Sequence, residues 1–328
     1  MNIDFVILWV DGNDIEWQRE KEKYTPGKNS DVRVNRYRDW DNLQYWFRGV
    51  EKFAPWVRKI HFVTWGHLPK WLNVNNPKLH IVNHKDYIPR EYLPTFNANP
   101  IELNLHRIKG LAENFVYFND DMFIIKSMKK EDFFKDDLPC DIAALEGLSA
   151  TDVFSYMMFN NMRIINKNFR KKDVFKYNKL KWFNLLYGKE LYRTIALYPW
   201  ENFTGMFSPH LPIAFNKRTF KEVWDKEYDE LHNTCLHRFR NIKDVTGWLF
   251  RYWRIATGEF YPISPRIGKY FSVSSKSVVS EVGKSILKQN YKMICINDTF
   301  KDDDFDQAKH ELIEYFQKIL PEKSSFEI

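Results

Sequence analysis

Short apolar runs that stop abruptly at acidic residues restrict the fold of this chain more than any other feature. Three such runs cover residues 3–10, 115–118 and 291–296, and they are followed by Asp11-Gly12, Asn119-Asp120-Asp121 and Asn297-Asp298. Apolar runs of this length that end in turn-forming residues are typical of buried strands. Two further runs, at 59–64 and 79–82, indicate additional strands. The chain is therefore expected to build a sheet in which three strands have acidic ends.

Helical patterns occupy the segments between these runs. Apolar residues recur at helical spacing over 43–54, where Asp41 is predicted to cap the helix. Asn99-Pro100, followed by Glu at 102, predicts the start of a helix over 99–110. Further helices are predicted over 217–231, 244–255 and 305–320. Strands that alternate with helices predict an α/β fold with parallel pairs, in which ligands gather at the carboxyl ends of the strands.

Composition excludes two classes of protein and suggests a division of the chain. With 44% hydrophobic residues the chain is too apolar for a disordered protein, and no long uninterrupted apolar window indicates a transmembrane helix. The N-terminus lacks the basic start of a signal peptide, so a cytoplasmic location is expected. The 328 residues are divided into an N-terminal half of the core at 1–150, a helical subdomain at 151–205 and a C-terminal half at 206–328.

The cysteines give no framework for a disulfide or a structural zinc site. Cys140, Cys235 and Cys295 are odd in number and widely spaced, without a CxxC pair. We expect them to be buried free thiols.

The positive charge of the chain is concentrated in one segment. Residues 166–193 contain nine Lys and Arg residues against two acidic residues, so this segment carries the whole formal net charge of +7. Many aromatic residues lie between these charges. Such a stretch is typical of a surface that meets an anionic membrane or polymer, and a solvated helix with packed aromatics explains it equally well. No recognition motif for nucleic acid accompanies it, so a nucleic-acid partner is not expected.

The acidic strand ends predict a metal site. Asp120 and Asp121 form a carboxylate pair of the kind that holds Mg²⁺ or Mn²⁺, because hard cations prefer oxygen ligands. Turn formation alone explains a single pair of this kind, but three acidic ends in one sheet can converge on one ion. Asn297 and Asp298 are the further predicted ligands.

Basic residues along the chain suggest a phosphorylated substrate. Guanidinium groups match phosphate oxygens through paired hydrogen bonds, although any single arginine is explained equally well by a surface ion pair. His210 lies on a loop between two prolines and has the chemistry to accept the proton of a hydroxyl, although a lone histidine is more often structural.

Several segments resemble conserved blocks of the Stealth family of sugar-phosphate transferases. The first is Asp4-Phe5-Val6-Ile7-Leu8-Trp9-Val10-Asp11-Gly12, and the second starts at Arg38-Asp39-Trp40-Asp41 and continues to Asn119-Asp120-Asp121. Shorter similarities lie at His210-Leu211-Pro212, at His237-Arg238-Phe239-Arg240 and at Cys295-Ile296-Asn297-Asp298. Together the blocks span nearly the whole chain.

The resemblance implies a reaction and a fold. The reaction is transfer of a hexose-1-phosphate, such as N-acetylhexosamine-1-phosphate from UDP-GlcNAc, to a hydroxyl of a polysaccharide or lipid-linked oligosaccharide, with UMP as the leaving group. Family members of bacteria build capsular polysaccharide or exopolysaccharide in this way. The fold implied is a Rossmann-like or GT-A-like mixed sheet flanked by helices, here with a basic helical insertion.

The resemblance also implies roles for individual residues. Catalysis is expected from His210, Asp121, Arg240 and Asp11. Substrate binding is expected from Trp9, Gly12, Arg38, Asp39, Arg48, Asn97, His106 and Arg107. Mg²⁺ or Mn²⁺ is expected on Asp120, Asp121, Asn297 and Asp298.

Two other functions are compatible with the same residues. A metal-dependent glycosyltransferase also needs acidic residues and a UDP-sugar, but it releases UDP. A noncatalytic module would dock an anionic polymer or a membrane through residues 166–193.

Overall fold

The computed structural model describes residues 1–25, 40–300 and 305–328. Its strands are β1 (Ile3–Leu8), β2 (Ile60–Thr64), β3 (Leu79–Asn83), β4 (Asn114–Phe118), β5 (Met122–Ile124), β6 (Phe134–Lys135), β7 (Leu138–Asp141), β8 (Ile213–Asn216), β9 (Tyr261–Pro262), β10 (Gly268–Val273) and β11 (Met293–Asp298). Its helices are α1 (Ile15–Tyr24), α2 (Leu43–Phe53), α3 (Ala98–Leu103), α4 (Val153–Asn168), α5 (Lys171–Tyr177), α6 (Lys179–Trp182), α7 (Lys189–Leu197), α8 (Lys217–Lys226), α9 (Tyr228–Cys235), α10 (Trp248–Thr257), α11 (Lys276–Lys288) and α12 (Phe305–Ile319).

A five-stranded sheet forms the centre of the protein. Its order is β3-β2-β1-β4-β8, with β1, β2, β3 and β4 parallel and β8 antiparallel to β4. Parallel strands need helical crossovers and are buried on both faces, which explains why they read as continuous apolar runs. The prediction of a mixed α/β sheet flanked by helices is confirmed.

Two small sheets complete the architecture. The first has the order β10-β11-β5, with β11 parallel to β10 and antiparallel to β5. Because β5 follows β4 after only three residues, this sheet brings the C-terminal strand β11 to the end of β4. The second small sheet has the order β6-β7-β9.

The hydrophobic core lies on both faces of the central sheet. Alternate side chains of β1 point to opposite faces, so Phe5 and Ile7 join one buried cluster and Val6 joins the other. Helices α2, α11 and α12 pack on the Phe5 side, and α4, α8 and α10 pack on the Val6 side. The amphipathic patterns of these helices therefore cover both faces.

The main strands and helices lie close to their predicted positions, but both predicted helix starts are wrong. Asp41 has a positive φ of 49° and pairs with Lys309, and Asn42 is the N-cap residue of α2. The helix expected over 99–110 is shorter: α3 begins at Ala98, where the side chain of Asn97 caps it by accepting from the backbone N–H of Asn99, and it ends at Leu103. At the first helix, Asp41 is left-handed and Asn42 takes the N-cap position. At the second helix, the side chain of Asn97 provides the cap.

Other differences concern short elements. The pattern over 217–231 breaks into α8 and α9, and the helix expected from 244 begins at Trp248. Strands β5, β8 and β10 and helix α11 were not predicted. Helices α4 to α7 occupy much of 151–205, and the three-part division of the chain stays a prediction.

Two further expectations concern the state of the cysteines and the absence of a transmembrane helix. Cys140, Cys235 and Cys295 are free and buried, as predicted. Within 1–25, 40–300 and 305–328, each helix is too short or too polar to cross a membrane.

Candidate functional site

The acidic ends of β1 and β4 lie at the same edge of the central sheet. These strands are parallel neighbours, with Ile7 opposite Phe118, so the residues that follow each strand leave the sheet side by side. Asp11 follows β1, and Asp120 and Asp121 follow β4. The edge is the one at which open α/β sheets bind ligands.

Strand β11 brings a third acidic end to this edge. Cys295 lies opposite Met122 of β5, and the backbone N–H of Ile296 donates to the carbonyl of Asp121 at 2.8 Å. Asn297 and Asp298 are the last two residues of β11 and directly follow Ile296. The sequence prediction that acidic strand ends from distant parts of the chain meet is confirmed for β4 and β11.

Asp121, His210 and Cys295 form a compact cluster at this edge. One ligand atom of each lies within 4.8 Å of the others, and the Cys295 thiol donates to Asp121 Oδ2 at 3.3 Å. The His210 ring packs against Tyr270 and Trp248, with centroids 5.1 and 6.1 Å away. The cluster thus combines a carboxylate and an imidazole in largely apolar surroundings.

Helix α10 fixes the loop that carries His210. Arg251 donates to the carbonyl of Phe207 at 2.8 Å, and the hydroxyls of Tyr252 and Ser208 are 2.7 Å apart. Arg254 donates to the carbonyl of Ala214, beyond the histidine. Helix α10 therefore holds the loop both before and after His210 in the chain.

The backbone of His210 adopts an uncommon conformation. Its φ is 51°, in the left-handed region that only a few per cent of non-glycine residues adopt, Asn, Asp and His more often than others. Such local strain persists only where surrounding contacts enforce it, and it is frequent at functional sites. Here the contacts of α10 enforce it.

Burial changes the protonation of the cluster. Burial lowers the pKa of His210 below its usual value, although the charge of Asp121 opposes this effect. Burial raises the pKa of Asp121, and here His210 opposes the effect. The pKa of the Cys295 thiol lies well above its usual value because it is buried beside Asp121. A neutral imidazole is the form that accepts a proton, and a lowered pKa favours this form of His210 at neutral pH.

A carboxyl group that was predicted only to mark a helix start lines the same cavity as His210. Glu102 and His210 both line a small cavity of about 30 Å³, enough for about one water molecule. Glu102 accepts from the Tyr117 hydroxyl at 2.9 Å and from the N–H of Gly247 at 3.2 Å. Burial raises its pKa, while Tyr117 and the charge of Arg240 act against this shift. Glu102 therefore lines the cavity together with His210, and the charge of Arg240 acts on its carboxyl group.

The end of β1 forms a second group of predicted residues. The Trp9 ring lies edge-on to His67, with centroids 5.2 Å apart, and the N–H of Asp11 donates to His67 Nε2 at 2.7 Å. His67 Nδ1 lies 3.6 Å from a carboxylate oxygen of Asp14, and burial lowers the pKa of this histidine. The side chain of Gln18 donates to the carbonyl of Gly12. His67 was not predicted, because nothing in its sequence context marks it as the partner of Asp11.

The donor set of the cluster fits a hard divalent cation. Asp121 Oδ1 is buried, and within the described residues it has no hydrogen-bond partner. Such an orphaned carboxylate oxygen is a suitable metal ligand. Asp120 precedes Asp121 in the chain, and Asn297 follows Ile296, whose N–H binds the carbonyl of Asp121. Cys295 is a soft and protonated ligand that does not suit Mg²⁺. The oxygen atoms, rather than the sulfur, are therefore the candidate ligands.

Asp298, the remaining predicted ligand, lies next to Asn297 at the end of β11. Its Oδ1 accepts from the N–H of Phe300 at 2.8 Å. Its role as a ligand stays a prediction.

Four residues predicted to bind substrate have other partners. Arg48 forms an ion pair with Glu327 at 2.7 Å, and buried Asn97 donates to Asp244 Oδ2 at 2.9 Å. His106 packs beside Trp224, and its burial lowers its pKa to about 3. Arg107 is exposed over the same indole ring. None of these contacts joins the cluster, and a substrate role for the four stays a prediction.

Two more predicted residues, Arg38 and Asp39, lie outside the described residues.

Comparison with known proteins identifies the family. Models of three conserved regions of Stealth proteins match the chain: region 1 at residues 1–29, region 2 at 36–142 and region 4 at 284–328. The capsular polysaccharide phosphotransferase WcwK of Streptococcus pneumoniae is 44% identical, over 99% of this chain and 98% of its own. The exopolysaccharide phosphotransferase cps2G of Lactiplantibacillus plantarum is 40% identical, over 99% of this chain and 96% of its own.

Solved structures resemble the chain more remotely. The galactosyltransferase LgtC, solved with donor and acceptor sugar analogues, aligns over 98% of both chains at 9% identity and a TM-score of 0.40. The apo form of the glycosyltransferase GlyE of Streptococcus pneumoniae aligns over 98% of this chain and 62% of its own, at 8% identity and a TM-score of 0.39.

The α/β sheet, the acid–imidazole cluster at its ligand-binding edge and the full-length similarity to phosphotransferases together define a transferase enzyme. The chain belongs to the Stealth family, as its sequence blocks predicted.

Proposed function

We propose that this protein transfers a hexose-1-phosphate from a UDP-sugar to a hydroxyl of a polysaccharide acceptor. The product is a phosphodiester and the leaving group is UMP. The observation that carries the proposal is the position of half-buried His210, with a ring nitrogen within 4.8 Å of a carboxylate oxygen of Asp121, at the end of β4. Full-length similarity to capsular and exopolysaccharide phosphotransferases supports the same chemistry.

In the proposed reaction, His210 acts on the acceptor. The hydroxyl oxygen attacks the phosphorus that bears the sugar, and its proton passes to the neutral imidazole. One P–O bond forms while the P–O bond to UMP breaks, so the sugar keeps its bond to the transferred phosphate. Arg240, beside Glu102, would stabilise the charge on the nonbridging oxygens.

Magnesium or manganese is the proposed cofactor. Asp121, Asp120 and Asn297 would hold the ion, with Asp298 as a further predicted ligand. Once bound, the ion would supply positive charge to the diphosphate of the donor.

We propose that the end of β1 holds the nucleotide. Trp9 would stack on the base, and Asp11 and Gly12 would contact the ribose or the diphosphate. Because His67 accepts a hydrogen bond from the backbone of Asp11, it would keep this turn in position.

The acceptor and the location of the enzyme are also part of the proposal. A polysaccharide or a lipid-linked oligosaccharide would provide the hydroxyl. The enzyme would work in the cytoplasm of a bacterium and contact the inner face of the membrane through residues 166–193.

Identification of the released nucleotide tests the function directly. The purified protein is incubated with UDP-GlcNAc and other UDP-sugars, with Mg²⁺ and a polysaccharide acceptor, and the products are separated by chromatography. Release of UMP with a phosphodiester-linked product supports the proposal. Release of UDP with a glycosidic bond would show a glycosyltransferase and overturn it, and so would the absence of turnover with every donor.

A further inference from the structure

Large hydrophobic side chains are exposed in one short part of the protein. Of the 22 that are exposed in the described ranges, eight lie within residues 177–200. These eight residues, here called the apolar face, are Tyr177, Leu180, Leu185, Leu186, Tyr192, Ile195, Tyr198 and Trp200. Leu180 and Leu185 are 84% and 87% exposed, so they contribute little to the core. Such a concentration of exposed apolar groups on a folded domain marks an interaction surface.

Helix α7 carries a continuous stripe of this face. Tyr192 and Ile195 lie three residues apart on one side of the helix, and Tyr198 directly follows its last residue. The opposite side buries Glu190 and Thr194 against the protein. The stripe is therefore an outward face of a packed helix.

Contacts beneath the face join its parts. The Tyr198 ring packs on Phe175 of α5 and on Phe183, which follows α6, with centroids 5.3 and 5.5 Å away. The buried ammonium group of Lys171 donates to the carbonyls of Leu197, Tyr198 and Trp200. These contacts hold the segment together, so its exposed apolar side chains have fixed positions.

The positive charges of this segment divide into two sets. Lys171 and Lys181 are used inside the protein, where Lys181 binds the carbonyls of Gly258 and Phe260. Lys172, Lys176 and Lys179 are exposed, and among the described residues none of them forms an ion pair with a carboxylate. Free ammonium groups therefore lie directly beside the apolar face.

We infer that the apolar face inserts into the headgroup region of an anionic lipid bilayer, while Lys172, Lys176 and Lys179 bind the lipid phosphates. Helices with apolar groups on one side and flanking lysines bind membrane surfaces in this way. The inference rests on the proposed function in one respect, since a lipid-linked acceptor gives the enzyme a reason to dock.

Charge argues against two other occupants. A second copy of the chain would set two basic segments against each other, and such like-charge contacts are unfavourable. A soluble anionic polymer would satisfy the lysines but would leave Leu180, Leu185 and Leu186 in water. A bilayer with anionic headgroups would both bury the leucine side chains and bind the lysine ammonium groups.

Vesicle co-sedimentation tests the inference. The full-length protein is mixed with vesicles of phosphatidylcholine alone, or of phosphatidylcholine with phosphatidylglycerol. We expect binding to the anionic vesicles and weak binding to the neutral ones. The double variant Leu185→Ser, Leu186→Ser should bind at least about tenfold more weakly. Replacing Lys172, Lys176 and Lys179 by Gln should weaken binding about a hundredfold, at about fivefold for each lysine.

Matched variants elsewhere on the surface serve as controls. Leu287→Ser with Val74→Ser removes two exposed apolar groups, and replacing Lys284, Lys288 and Lys318 by Gln removes three exposed charges. Both should bind vesicles as the unchanged protein does. Failure of that protein to bind anionic vesicles, or an equal loss in control and face variants, overturns the inference. So does a change of oligomeric state in the Leu185→Ser, Leu186→Ser variant, because the face would then contact a second copy.

Nucleotide release in solution separates this inference from the proposed function. The Leu185→Ser, Leu186→Ser variant should release UMP from a UDP-sugar at the normal rate in the absence of membranes. Vesicle binding without UMP release would refute the proposed function and leave the docking surface intact.

Discussion

At the scale of single residues, the site contains two groups whose conformation or environment is unfavourable for folding. His210 combines a positive φ with burial, and Asp121 keeps a buried oxygen without a hydrogen-bond partner among the described residues. An uncompensated carboxylate oxygen is destabilising in an apo protein. Its presence at the ligand-binding edge supports a role in holding a cation.

Replacement of His210 tests its role as the base. We expect His210→Asn to lower kcat for UMP release by about 10²–10⁴-fold, because no group remains to accept the hydroxyl proton. Asn tolerates a positive φ, so the loop should keep its conformation and the thermal midpoint should change little. The measurement is steady-state release of UMP, with His310→Asn at an exposed position of α12 as the control. Full activity of His210→Asn would show that another group is the base.

Asp4, in strand β1 of the central sheet, makes the stability depend on pH. Burial alone would raise its pKa, but hydrogen bonds from His61, Arg58 and the N–H of Ala112 outweigh burial and lower it. A lowered pKa in the folded state stabilises the protein above the usual value of 3.8, and this contribution is lost as the pH falls through the folded-state value.

The variant Asp4→Asn should therefore be less stable at neutral pH by about 3 kcal/mol, because it leaves the buried partners of the carboxylate unsatisfied. The deficit should shrink as the pH falls below 3.8. Urea unfolding over a pH series measures it, and Asp225→Asn on the exposed side of α8 is the control. A deficit that stays constant down to the lowest pH would contradict this account.

At the scale of secondary structure, close packing of α2 on β5 positions the strand that leads away from Asp121. An added Cβ at Gly49 would lie 2.6 Å from the carbonyl oxygen of Ile124. A backbone atom cannot move aside as a side chain can. The absence of a side chain at this position therefore allows the helix to approach the strand.

We expect Gly49→Ala to destabilise the protein by about 1–3 kcal/mol, since the helix has to move away from β5. Gly147 has no atom within 4 Å of an added Cβ, so Gly147→Ala should change the free energy of unfolding by less than about 0.5 kcal/mol. Denaturant unfolding of both variants measures the difference. Equal stability of the two would show that α2 can shift without cost.

At the scale of the whole molecule, the two ends of the chain build the same half of the core. The C-terminal residues pack beside α2, where Arg48 donates to both carboxylate oxygens of Glu327 at 2.9 and 2.7 Å. The two side chains are only 10% and 5% exposed. This ion pair holds the C-terminal residues against α2.

Loss of this pair should be costly because it leaves a charge nearly buried. We expect Glu327→Gln to destabilise the protein by about 3 kcal/mol. The exposed pair Lys269–Glu281, of similar length, provides the control, since Glu281→Gln should cost less than about 1 kcal/mol. Thermal unfolding compares the two. Equal costs would mean that the C-terminal pair is as solvated as the surface pair.

The sequence by itself determined the four parallel strands of the central sheet and the acidic residues that follow β1 and β4. Continuous apolar runs and turn residues are local signals, and they identify a buried strand without knowledge of its neighbours. The flanking prolines marked His210 as a candidate base, and the family blocks added Arg240. These predictions needed only residues close to each other in the chain.

Only the tertiary structure decided which of these residues meet. Cys295 reaches Asp121 across 174 residues because β11 pairs with β5, a strand of three residues that has no clear sequence pattern. Glu102 and His67 gained partners in the same way, from strands and loops distant in sequence. Pairing register and burial depend on the whole fold, so the environment that makes His210 neutral and brings Asp121 beside it could not be read from local sequence.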